Sequence, residues 1–184
     1  MELKYPAMGI CGLSCVLCPR YHTDGCSRCG GCKSAFRMGA GCPFITCAVK
    51  KKGIEFCWEC AEQADCDRWK KHREAGRHRD SFKCYQKINE DIDLILENGF
   101  DAYWKLQRER ENLLEAMLSE YNEGRSKNYY CIAATVMEIE ELKEALASAK
   151  RDTEGMDVKS RAKVLHGILD GIGEKKGYRI KLRK

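Results

Sequence analysis

Eleven cysteines fall in the 56 residues from Cys11 to Cys66, one residue in five, and a twelfth follows at Cys84. Only Cys131, the last of thirteen, stands apart. A segment this dense in thiols, punctuated by Gly9, Gly12, Gly25, Gly30, Gly31, Gly39, Gly41 and Gly53, has no sustained hydrophobic period and cannot build a core from aliphatic side chains alone. Met1 to Ile10 lacks a basic stretch followed by an apolar one, and no later run approaches 18 apolar residues, so the expectation is a cytoplasmic chain with no membrane span. Thiols at this density in a reducing compartment are not held as disulfides, and thirteen is an odd number. Thiolate ligation of metal is therefore the expectation.

The spacings carry the detail. They run Cys11-x3-Cys15-x2-Cys18, Cys26-x2-Cys29-x2-Cys32, Cys42-x4-Cys47 and Cys57-x2-Cys60-x5-Cys66, with Cys84 apart. Two residues between thiolates let both sulfurs reach one metal while backbone amides of the turn point at them. All twelve are candidate metal ligands. Eleven come as three triplets and a pair, and a further ligand from His22, Cys84 or Cys131 would close three four-ligand sites. Zinc is the first expectation, because Cys26-Ser27-Arg28-Cys29-Gly30 resembles a zinc knuckle and structural zinc needs nothing more than four such ligands. The alternative is [4Fe-4S] clusters, in a protein that carries electrons or scaffolds a cluster for a redox partner. Cys26-x2-Cys29-x2-Cys32 repeats the first three ligands of a bacterial ferredoxin run, and Cys18 and Cys42 each precede a proline, although the ferredoxin spacing would place a fourth cysteine at Phe36.

Two matches are set aside. Cys11-x3-Cys15-x2-Cys18 has the spacing of radical enzymes that use S-adenosylmethionine, but the barrel of alternating strands and helices is missing and more cysteines follow at once. No βαβ pattern surrounds any Cys-x-x-Cys, which argues against a thioredoxin-like role.

Residues 1 to 84 hold fifteen Lys and Arg against nine Asp and Glu, whereas residues 85 to 184 hold eighteen against nineteen. A metal centre with four thiolates carries about −2, so about three would offset the surplus in the first segment. Arg68, Lys70, Lys71, His72, Arg73, Arg77, His78 and Arg79 lie beside Trp58 and Trp69, a mixture that phosphate contact and base stacking would use. A solvated helical face with charge compensation is the preferred reading, and a protein partner is preferred to a nucleic acid.

After Cys84 the pattern becomes helical. Ile88, Ile92 and Ile95 lead to a break at Asn98-Gly99. Tyr103, Leu106, Leu113, Leu114, Met117, Leu118 and Tyr121 mark a longer helix, with Trp104 read as core beside them. Ser126 is the expected N-cap of a third helix through Ile132, Val136, Ile139, Leu142, Leu146 and Ala149, and a fourth starts near Asp157 and ends in Gly171, Gly173 and Gly177. The tail from Tyr178 alternates apolar and basic residues as a short edge strand or a basic arm. The expected architecture is a small, irregular, metal-nucleated cysteine-rich module of turns and small hairpins over residues 1–84, plus a mainly α-helical region of three to four helices over 85–184. Gly124-Arg125-Ser126 could receive an anion at a helix start or simply cap it. Cys131 reads first as a small buried residue, with a low-pKa thiolate in a first helical turn or a distant ligand as alternatives, and His166 lies on the fourth helix between core positions. No Ser-His-Asp order, phosphate loop or paired-carboxylate motif argues for an enzyme.

The run Cys11-Gly12-Leu13-Ser14-Cys15-Val16-Leu17-Cys18-Pro19, with Cys29-Gly30-Gly31-Cys32-Lys33, Cys42 and Cys47, Lys52-Gly53-Ile54-Glu55 before Cys57-x2-Cys60, and Cys66, resembles the cysteine-rich domain-of-unknown-function family 3795 over about residues 8 to 70. Gly124-Arg125-Ser126 to Tyr130-Cys131 resembles a motif of its longer members. The resemblance implies a small bacterial or archaeal protein that binds metal through its cysteines, and it carries no established activity. The chain departs from the family at Ala64-Asp65-Cys66, where proline is expected before the cysteine, and Cys26 is additional.

Overall fold

The computed structural model describes residues 3–39, 41–81 and 83–184; Met1 and Glu2, at the start of the segment read for a leader, lie outside them. Among the described residues there are seven α-helices: α1 (Ala35–Gly39), α2 (Asp67–His78), α3 (Ile88–Asn98), α4 (Phe100–Tyr121), α5 (Lys127–Val136), α6 (Ile139–Asp152) and α7 (Val158–Lys176). A π-helix covers Ile45–Lys52, and short 3-10 turns lie at Cys15–Leu17, Gly25–Ser27, Cys57–Glu59 and Gln63–Asp65. No strand occurs among them. The expected hairpins reduce to one isolated bridge between Met8 and Ser14, and the tail is not a strand. No described helix is long and apolar enough to cross a membrane.

The chain divides into two compact units, Met1–Lys105 with Arg183–Lys184, and Leu106–Leu182. The division falls inside α4, beyond Cys84, for a physical reason. The cysteine-rich segment has too few aliphatic residues of its own, so it shares a core with α3 and the start of α4: Met8, Phe56, Trp58 and Trp69 are buried with Ile88, Ile92, Ile95 and Tyr103. That core is largely aromatic. Phe56 stacks on Trp58 with centroids 4.3 Å apart, and Phe100 lies 4.2 Å from Tyr5. Gly12, at φ +93°, lets the first cysteine loop touch α3, since a Cβ there would stand 2.9 Å from Ile92. A second, smaller core of Ile10, Ile45 and Ala48 lies under the π-helix.

The helical region after Cys84 contains five helices, not three or four. The stripe from Ile132 to Ala149 keeps its phase, but Glu138 takes extended backbone (φ −72°, ψ 151°) and its amide donates to the Glu141 carboxylate at 3.2 Å, which starts α6 afresh. Buried Arg110 donates to the carbonyls of Ala134 and Met137 at the end of α5. Asp157 caps α7 by accepting from the amides of Lys159 and Ser160, as its sequence position suggests. Gly171 and Gly173 do not end that helix. It runs to Lys176 and closes at Gly177 (φ 77°), and Gly173 is small because Ile180 packs over it. Leu106, placed on the buried stripe by periodicity, is exposed.

Candidate thiolate metal centres

The cysteines regroup across the sequence triplets. Cys15 and Cys18, flanking the 3-10 turn Cys15–Leu17, face Cys29 and Cys32 across a narrow cleft that encloses about 10 Å³. Backbone amides point at these sulfurs. The Cys32 N–H donates to Cys15 Sγ at 3.4 Å, and the amides of Arg20 and Tyr21 donate to Cys18. Burial is the main cause that raises the Cys18 thiol, and these amides oppose it. The Cys15 thiol donates to Cys32 and holds Cys32 down to about 6 against its burial, with help from Lys83, Arg37 and Lys33. Cys15 itself is raised, first by that bond and then by burial. Arg20, Arg37 and Lys83 line the cleft. Burial would lower the Lys83 ammonium, but Cys32, Tyr85, Cys18 and Cys15 outweigh it and raise it. Spacing does not single out Lys83. The surplus of positive charge over residues 1–84 is its only signal in the sequence.

The second group comes from three segments. Cys47 lies on the π-helix, Cys57 and Cys60 flank the turn Cys57–Glu59, and Cys66 precedes α2. These four line a cavity of about 350 Å³. The Cys57 thiol is pushed up to about 12, first by burial and then by Cys11, Cys47, Cys66 and Cys60 around it. Lys52 Nζ donates to Cys60 Sγ at 3.2 Å and pairs with Glu62 at 2.8 Å. Cys11 is also pushed up to about 12, by burial first, with Cys32 and Cys42 adding to it, and it lines neither cleft.

The remaining candidates separate from both groups. Cys26 is exposed and lines neither cleft, apart from Cys29 and Cys32 of its sequence triplet. Cys42 packs beside the small core under the π-helix. The Cys84 thiol is pushed up to about 11 by burial, with the Gln86 amide opposing, and also lines neither cleft. His22 Nε2 lies 2.5 Å from the Val16 carbonyl and donates to it, which takes that nitrogen out of any ligand set. Cys131 is buried in α5 of the second unit. As the side chains stand, no three His, Cys, Asp or Glu groups among the described residues are arranged to hold one metal ion.

Two further residues singled out in the sequence, Glu55 and Gly53, hold the fold. The Glu55 carboxylate accepts from the amides of Lys4 and Tyr5 and from buried Lys33, whose ammonium lies 3.8 Å from the Phe56 ring centroid. Gly53 ends the π-helix in the left-handed region (φ 65°).

Trp58 and Trp69 are buried in the aromatic core, which takes away the stacking surface the basic run would need for nucleic acid. Along α2 the charges find partners within the unit: Arg73 bonds Asn89 and Asp93, His78 bonds Glu74, and Arg68 donates to the Pro43 carbonyl. In the second unit Ser126 precedes α5 as expected, but its hydroxyl donates to Glu123 and does not cap the helix. Glu123, held below the usual carboxylate range chiefly by that hydroxyl, is thus an anion already supplied by the chain near the start of α5. His166 bonds Ser126 and stacks on Tyr129, with centroids 4.0 Å apart.

No family model, curated protein or solved structure matches this chain.

Proposed function

We propose that this protein is a thiolate metal-binding protein whose first unit is a non-catalytic interaction or regulatory module stabilised by zinc at Cys15, Cys18, Cys29 and Cys32. The observation that carries the reading is the meeting of two Cys-x-x-Cys segments across a cleft of about 10 Å³, with amide N–H groups already aimed at Cys15 and Cys18. Tetrahedral zinc takes four thiolates at about 2.3 Å, needs no further volume, and is stabilised by such amide–sulfur bonds. Lys83, Arg37 and Arg20 offset the charge of about −2 that this centre would carry. Rotation of the cysteine side chains draws the thiols onto the ion as they lose their protons, so binding and final ordering of the loops are one event. The likeness of the cysteine pattern to domain-of-unknown-function family 3795 supports the same reading. The module's partner is proposed to be a protein, since the paired charges of α2 and the buried tryptophans favour it over nucleic acid.

The test is zinc content and thermal unfolding of the full chain, with and without a strong chelator. The expected result is bound zinc whose removal melts the first unit at lower temperature. Cys29→Ser with Cys32→Ser should release about one zinc. Reduced protein that binds no metal and melts identically with chelator would overturn the proposal.

A further inference from the structure

The two four-cysteine clefts differ by more than thirtyfold in volume, about 10 Å³ against about 350 Å³. One ion with thiolates at about 2.3 Å fills the first, whereas the second has room for a larger group. The walls of the larger cavity, apart from its thiols, include Phe44, Ala48, Ile54 and Trp69, an apolar lining of the kind that limits water around a cofactor. Two cations, Lys52 and Arg68, and two carboxylates, Glu62 and Asp65, line it, and Lys52 pairs with Glu62. Lys52 already donates to one of its sulfurs, and Arg68 is anchored through the Pro43 carbonyl.

We infer that Cys47, Cys57, Cys60 and Cys66 hold a polynuclear iron–sulfur cluster of the four-iron type, while the narrow cleft holds a single zinc. The inference rests on the reading of the first unit as a thiolate metal module and assigns its two sites to different chemistry. Four thiolates, each having released its proton to solvent, ligate one iron apiece at the corners of a preassembled cluster. No redox step is involved in binding. The whole carries about −2, and Lys52 is the cation in contact with one of its sulfurs. Lys52 supplies the N–H···S bond that, with net charge, sets the reduction potential of such a cluster.

The grouping explains why the spacing is hard to read as a ferredoxin. The ligands are four successive cysteines, but they come from the π-helix, a 3-10 turn and the entry to α2, where Phe44 packs on Trp69, at spacings unlike a ferredoxin run. Only Cys57-x2-Cys60 among them has the two-residue spacing.

The test is metal, acid-labile sulfide and visible absorption of the full chain expressed with iron and purified without oxygen. The expected composition is about four iron and four sulfide with about one zinc per chain. Cys57→Ser with Cys60→Ser should abolish iron, sulfide and colour and keep the zinc. Cys29→Ser with Cys32→Ser should do the reverse. Because paired serine variants can fail to fold, Lys52→Met provides a milder probe: it should keep the colour and lower the reduction potential. Two zinc ions and no sulfide, or zinc in the narrow cleft with the larger one empty, would overturn this inference and leave the zinc module standing. A cluster retained after Cys57→Ser with Cys60→Ser, or a potential unmoved by Lys52→Met, would also overturn it. Protein that binds neither metal would overturn both readings.

Discussion

Arg183, the penultimate residue, grips Asp80 three times: its amide and Nε bond Asp80 Oδ2 at 2.7 and 3.1 Å, and Nη2 bonds Oδ1 at 3.2 Å. The same guanidinium donates to the carbonyls of Gly76 and Arg77 at 2.6 Å, satisfying orphan acceptors at the end of α2. Asp80 also accepts from the Tyr85 amide at 2.6 Å and so fixes the segment that carries Lys83 and Cys84. The Asp80 side chain has no exposed surface, which makes this more than a surface ion pair.

Arg183→Met should therefore destabilise the first unit by about 3 kcal/mol, the usual cost of leaving one member of a buried pair without its partner. Urea unfolding followed by tryptophan fluorescence reads it, since Trp58, Trp69 and Trp104 all belong to that unit. An unchanged midpoint would show that the tail contributes nothing.

The pH dependence of the pair has a definite sign. Burial raises the Asp80 carboxyl, but Arg183 and the Tyr85 amide outweigh burial and hold it below its ordinary value of 3.8. A carboxyl depressed by folding contributes stability that is complete above its unfolded pKa and is lost as pH falls through the folded one. Wild-type protein should thus lose more stability than Asp80→Asn as pH is lowered from neutrality to below 3.8. Parallel curves would remove Asp80 from the account.

Gly12→Ala should cost about 3 kcal/mol, combining about 1–2 for a left-handed residue with a Cβ and about 1–3 for overpacking. The position has φ +93°, and its Cβ would lie 2.9 Å from two atoms of Ile92. The same urea transition measures it. Gly25, also at positive φ but with open space around it, is the control, and its alanine variant should cost only the backbone strain.

In reduced, metal-free protein, Cys32 should be alkylated ahead of Cys11 and Cys57 near neutral pH. Its thiol is held at about 6 by the Cys15 bond and nearby cations, whereas Cys11 and Cys57 are pushed up to about 12. The thiolate is the reactive form, so iodoacetamide labelling followed by peptide mass spectrometry should rank Cys32 well ahead of those two at pH 7. Cys15→Ala should slow Cys32 labelling, because it removes the side chain that donates to it.

The elements that the sequence makes legible are those punctuated locally. The break at Asn98-Gly99 and the cap at Asp157 stand where the residue types place them, because both act within a few residues of themselves. The division between α5 and α6 was hidden, since the apolar stripe continues in phase across Glu138 and only the backbone turn there separates the helices. The thiol density pointed to shared thiol clusters, but which thiols lie together was not readable from spacing. Cys15 and Cys18 meet Cys29 and Cys32, and Cys66 meets Cys47, only after Phe56, Trp58 and Trp69 have packed against α3, and those aromatics sit in turns and at a helix start without periodicity.

Ser126 and His166 provide a test in the second unit. Ser126 Oγ has one proton, which goes to Glu123 Oε2 at 2.6 Å, so His166 Nε2, at 2.8 Å from the same oxygen, must be the donor. Burial lowers the His166 pKa, opposed by Asp170 and Glu123, and folding thus favours the neutral ring. For a base depressed by folding, the stability is complete above the unfolded value of 6.5 and declines as pH falls below it, because the unfolded chain then binds more protons. The His166 ring signal followed by NMR should titrate with a midpoint below 6.5, and His166→Gln should remove that part of the acid-side decline. Ser126→Ala should cost about 1–2 kcal/mol, the usual penalty for a polar partner left unsatisfied. A midpoint above the ordinary value would mean that Asp170 and Glu123 outweigh burial, and the Ser126–His166 pair would then hold a charged ring.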